Sequence, residues 1–205
     1  TGSLEQHGAH LPTENDTASA VLVATRAAER LYPKVLVAPP VPVGLSPHHM
    51  RWPLSLTLRP ATFLAVLLDL GSSLKQHGVR RVLILNGHGG NRRVWEEIGG
   101  SATEMAAEKM REMGLKAAAV NYWELPPESF LKETLDVEPA GGHAGEFETS
   151  VALFIYPERV RREKALPCEG TSRGAEAATA EKGRRLIERA VDELVAYLNK
   201  FISQR

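Results

Sequence analysis

With 205 residues, 43% apolar and 24% charged, the chain has the size and composition of one ordinary globular domain. Its 25 basic and 25 acidic residues cancel, so no basic surplus points to a nucleic acid or an anionic membrane surface. No apolar run approaches a membrane span, and the single cysteine, Cys168, excludes a disulfide framework and a thiolate metal cluster. Chemistry is left to His, Asp, Glu, Ser and backbone, in a domain expected in the cytoplasm.

The chain enters a dense polar cluster within five residues of Thr1, with no leader of the signal-peptide kind. Chain ends fray, so a cluster this rich at an end predicts a further strand ahead of residue 1. Asp16-Thr17 is read as the cap of a helix whose apolar face runs through Val21, Leu22, Ala28 and Leu31 and stops before Pro33. Residues 34–38, a short β-branched run halted by Pro39-Pro40, predict a strand, and residues 54–58 a weaker one. Residues 61–77 have helical spacing and end at Gly78. Residues 79–85 predict a buried strand, followed by the loop 86–91 and a helix from about 92 to 113. A strand over 115–123, an irregular stretch over 126–142, a helix over 144–155 and a long amphipathic helix over 176–202 complete the chain. Strands alternating with helices predict one three-layer α/β domain over 1–205, a small, mostly parallel sheet flanked by helices. The polar clusters fall at the carboxyl ends of the strands, where such folds gather their chemistry.

Three clusters carry that chemistry. In the first, Glu5 and His7 lie two apart and share a side of an extended chain. With Asp16 they form the carboxylate and imidazole set that suits Zn, Mn or Fe(II); His10 reads as a surface or supporting histidine. The second is Asn86-Gly87-His88-Gly89-Gly90-Asn91, whose glycines let the backbone turn and approach something closely. A plain tight turn or an anion cradle competes there with a ligand His88 aimed into a cleft, and P-loop spacing is lacking. The third runs from Gly141 to Ser150 and places His143 at the lip of a helix. Glu148 shares a helical face with Val151, Ala152 and Ile155, so burial beside a cation or a proton is expected. Glu146 lies on a more polar line and is expected to be a solvated helix charge. Trp123 walls a pocket or packs in the core. His48 and His49 sit in a loop, exposed by default. Ser3 and Ser150 lack a base, and Cys168 reads as inert.

Together these clusters resemble the creatininase (creatinine amidohydrolase) family: Gly2 to Pro12 with Asp16, then Asn86 to Asn91, then His143 to Ser150, in the family's order. Residues 178–183 also look like the start of its C-terminal helix. The resemblance implies a small parallel sheet between helices, a homo-hexamer, and two divalent ions (Zn, Mn or Fe) per chain. It makes Glu5, His7, Asp16 and His88 the metal ligands, with Asp16 bridging. Creatininase itself has a glutamate ligand where this chain has Gly90, and a substrate-clamping tryptophan where this chain has Pro139; Trp123 matches its second pocket tryptophan. The glycine-rich version resembles other branches, including the archaeal formamidopyrimidine deformylase and the mycofactocin-system peptidase. Creatinine is therefore not the expected substrate, and Glu148 is expected to supply the missing ligand. Trp123, Gly89 and Gly90 are expected to meet the substrate, and His143 to protonate the leaving nitrogen. The implied reaction is hydrolysis of a non-standard amide, cyclic, formyl or otherwise small, through a metal-bridging hydroxide. A non-catalytic metal- or nucleotide-binding protein is the rival reading, disfavoured because so many carboxylates would repel phosphate.

Overall fold

Successive side chains of strand β1 (Arg81–Asn86) enter two different cores, because a strand alternates its faces. The structure, a computed structural model, describes residues 1–137, 142–165 and 168–204; Pro139 and Gly141 lie outside the described residues. Leu83 and Leu85 pack on one side against α1 (Asn15–Leu31), α6 (Glu146–Ile155) and α7 (Ala180–Ser203). Val82 and Ile84 pack on the other against α2 (Pro60–Gln76) and α4 (Ala102–Glu112). Strand β4 (Lys116–Asn121) pairs parallel with β1, in register from Arg81↔Lys116 to Asn86↔Asn121, and repeats the alternation with Ala117 and Ala119 on one side and Val120 on the other. Helices thus cover both faces of a small parallel sheet, the three-layer α/β arrangement expected. No helix among the described residues is long and apolar enough to cross a membrane.

Several elements differ from expectation. Residues 34–38 form no strand; they run irregular and exposed, with Leu36 86% exposed. No described segment forms a ladder with them, and a β-branched run needs a ladder to be a strand. Residues 54–58 contribute one isolated antiparallel bridge, Leu4↔Leu56. The helix expected over 92–113 is broken into a short turn of helix, α3 (Gly89–Arg92), a tiny hairpin of β2 (Val94–Trp95) and β3 (Gly100–Ser101), and then α4. Gly99 turns the hairpin in the left-handed region at φ 71°, and Ser101 caps α4 by accepting from Glu104 N–H. The irregular stretch holds one short helix, α5 (Glu128–Thr134). Asp16 is not a cap: α1 starts at Asn15, and the Asp16 carboxylate is free to serve the cleft beside it.

Candidate metal centre

Four segments meet at the carboxyl end of β1 around a cavity of about 710 Å³, lined among others by Glu5, Asp16, His88, His143 and Glu148. They are the opening cluster, the 45–49 loop, the glycine-rich turn and the start of α6. Gly87 lets the glycine-rich turn touch the opening cluster: a Cβ there would meet the Asp16 carbonyl oxygen at 2.2 Å. Two asparagines, both fully buried, tie the turn down. Asn86 Oδ1 accepts from His88 N–H at 3.2 Å and Asn91 Nδ2 at 3.1 Å, while Asn91 Oδ1 accepts from Leu45 N–H at 3.0 Å. These amides satisfy loop backbone that helix and sheet leave unpaired.

His7 and His88 are each oriented by a backbone carbonyl, which decides the nitrogen each presents. His7 Nδ1 donates to Glu5 O at 3.1 Å, leaving Nε2 2.8 Å from Asp16 Oδ1 and 3.7 Å from Glu148 Oε2. His88 Nε2 donates to Leu45 O at 3.0 Å, leaving Nδ1 2.9 Å from Asp16 Oδ2 and 3.3 Å from Glu5 Oε1. One Asp16 oxygen therefore faces each imidazole. Burial opposes charge on both rings, yet Asp16 with Glu148 and Glu5 around His7, and Asp16 with Glu5 around His88, push each imidazole up to about 10. The same contacts hold the Asp16 carboxyl well below the usual range against its own burial. The carboxylates gathered at each of these two points are donors of the kind a divalent cation takes. Glu5 Oε2 is buried with no hydrogen-bond partner, a lone pair such a cation would use. The donor set of imidazoles and carboxylates suits Zn, Mn or Fe.

His143 stands at the edge of this pair. Its Nε2 donates to Gln6 O at 2.6 Å, and Nδ1 lies 3.6 Å from Glu5 Oε1. Its ring sits 4.3 Å from the His7 ring and 4.4 Å from the His49 ring. Gln6 Nε2 donates to His49 Nδ1 at 2.9 Å, and burial pushes His49 down to about 4, so it stays neutral. His49 is buried, not exposed; only its neighbour His48 is exposed. His10, also buried, bonds Thr149 Oγ1 at 3.0 Å and supports α6 from beneath.

Of the two glutamates of α6, Glu146 departs from the environment expected of it. Glu146 is 3% exposed, and its carboxylate accepts from Asp136 N–H at 3.1 Å, Val137 N–H at 2.7 Å and Lys182 Nζ at 2.5 Å. It is a buried anchor, not a solvated charge. Glu148 is 17% exposed and faces the cavity, with Oε2 2.5 Å from Ala144 N–H. Burial pushes its carboxyl up, opposed by His7 and His143. It sits on the His7 side of the centre, away from Gly90. At Gly90 a Cβ would meet Leu45 O at 2.0 Å and His88 Nε2 at 2.3 Å, so that position has no room for a side chain. Trp123, half-buried, and Gly89 line the cavity wall. The sequence reading missed the buried Ser46, whose hydroxyl bridges Ser3 Oγ at 2.5 Å and His88 Nε2 at 3.2 Å. Its position beside two histidines was the available signal.

The family model described as creatinine amidohydrolase, creatininase, matches residues 1–176. Creatinine amidohydrolase of Pseudomonas putida is 28% identical over 91% of this chain and 82% of its own. The mycofactocin precursor peptide peptidase of Mycobacterium ulcerans is 31% identical over 98% of this chain and 83% of its own. A crystal structure of creatininase superposes with a TM-score of 0.83 at 26% identity, covering all of this chain and 89% of that one. Related creatininase structures include a Zn–Zn form and a Mn form. Motifs, fold and comparisons agree, and the chain belongs to the creatininase family.

Proposed function

We propose that this chain is a metal-dependent amidohydrolase that cleaves a non-standard C–N amide bond, in a cyclic, formyl or otherwise small amide. The observation that carries the reading is Asp16, which turns one oxygen to His7 and the other to His88. Glu5, Asp16 and His88 would hold one divalent ion, and His7, Asp16 and Glu148 the other. Bound there, the two ions would supply Lewis acidity for the scissile carbonyl and would acidify a water toward a pKa of ~7. The protein's own residues do the rest. Trp123 and the open face of Gly89 bound the space for substrate. The Gln6 carbonyl fixes the His143 Nε2–H, which leaves the Nδ1 lone pair turned inward to take a proton from the attacking water and pass it to the departing nitrogen. His143→Ala is expected to lower kcat roughly 10²–10⁴-fold with the metal content of the protein unchanged.

The test of the reading is hydrolysis by the metal-loaded protein across creatinine, formamides, cyclic amides and short peptides. Turnover of a small amide, abolished by chelation and restored by metal, is the expected result. Creatinine turnover is expected to be weak or absent, because Gly90 offers no side chain to the centre. Robust creatinine hydrolysis would overturn that placement, and a protein that takes up no metal would sink the whole reading. The same reading carries a homo-hexamer, and a light-scattering mass of one chain would count against it.

A further inference from the structure

We infer that His48 is a ligand of the ion on the His88 side, taking the coordination position that Gly90 leaves without a side chain. The inference rests on the two-ion reading above and deepens it.

Glu148, the expected replacement, groups with His7 and His143 and not with His88. The His88 side has Glu5, Asp16 and His88. Position 90 cannot add to them, since the Leu45 carbonyl oxygen and the His88 ring fill the space its side chain would need. His48 approaches from the opposite side. A ring nitrogen of His48, a Glu5 oxygen and a His88 nitrogen all lie within 4.8 Å of one another. Donors on one ion at bonds of ~2.1 Å stand at most about 4.2 Å apart, so the ring closes onto an ion by a small swing. The His48 ring stands beside that of His88, 6.1 Å between centroids.

His49 is the competitor, since its Nε2 lies 3.7 Å from Glu5 Oε1. It is committed elsewhere. Its Nδ1 accepts from Gln6, so its Nε2 carries the proton and presents a donor rather than a lone pair. His48 makes no hydrogen bond among the described residues. An exposed histidine at a cavity mouth, free at both nitrogens and near a buried carboxylate oxygen with no partner, is placed as a ligand is placed. His48 is exposed, so replacing it spares the fold.

Titration of metal-free wild type, His48→Ala and His49→Ala with Co²⁺ tests this, followed by visible absorption and metal analysis. Wild type is expected to take up two Co²⁺. His48→Ala should keep one at wild-type affinity, bind the other at least about tenfold more weakly, and show an altered visible band. Its metal-free unfolding midpoint should match that of wild type. Two ions of unchanged affinity and spectrum in His48→Ala would overturn the role of His48 alone. A larger loss in His49→Ala than in His48→Ala would overturn it in favour of the neighbour. Wild type that binds no Co²⁺ would overturn the two-ion reading, and this inference with it.

Discussion

Asp16→Ala is expected to purify with neither ion and to lose at least about 10³-fold in kcat/KM, since each ion contributes several kcal/mol to the transition state. The reason is geometric. Among the described residues no other carboxylate turns one oxygen to His7 and the other to His88. Without Asp16, each nitrogen keeps a single more distant carboxylate, Glu148 at 3.7 Å or Glu5 at 3.3 Å. Added metal should raise the unfolding midpoint of wild type, because a ligand of the folded state alone stabilises it. The variant's midpoint should not move. Elemental analysis that finds close to two ions in Asp16→Ala would refute the bridging role.

The two glutamates of α6 should fail in opposite ways. Glu148→Gln is expected to lose the His7-side ion and nearly all hydrolysis, because an amide binds these cations poorly, while the fold stays intact. Glu146→Gln is expected to keep both ions yet lose about 1–3 kcal/mol of stability, since buried donors lose a charged acceptor. Here the Asp136 and Val137 N–H groups lose the carboxylate, while Lys182 keeps Asp136 and the Ala177 carbonyl. Metal titration and thermal unfolding of both variants separate the outcomes. An intact second site in Glu148→Gln together with a lost one in Glu146→Gln would reverse the assignment.

The centre was legible in the sequence where its geometry is local. Glu5 and His7 share a side because they are two residues apart, and the glycines around His88 announce a backbone that must come close to something. The order of layers was legible too, since the run at 81–86 is apolar on both faces, as a strand between helices must be. Other features depend on neighbours that sequence spacing cannot name. Helical periodicity shows that Glu146 and Glu148 lie on different lines of α6, but not what covers each line. Lys182 and the 136–137 backbone arrive from elsewhere to bury Glu146. Residues 34–38 have the composition of a strand, and only a partner makes one. Within 92–113, the Gly99-Gly100-Ser101 turn and cap were readable, but a helical apolar pattern around them masked the signal.

Because His143 reaches back 137 residues to Gln6, and His10 reaches forward 139 to Thr149, the pocket closes only when both ends of a long loop have met. Such distant pairings form slowly, since the entropy of closing the loop is lost before the contacts compensate it. On the proposed reading, Glu148 joins the ligand set only once α6 has been made and has docked on the opening cluster. Metal loading would then follow that docking, and a filled centre would report that the two segments have met.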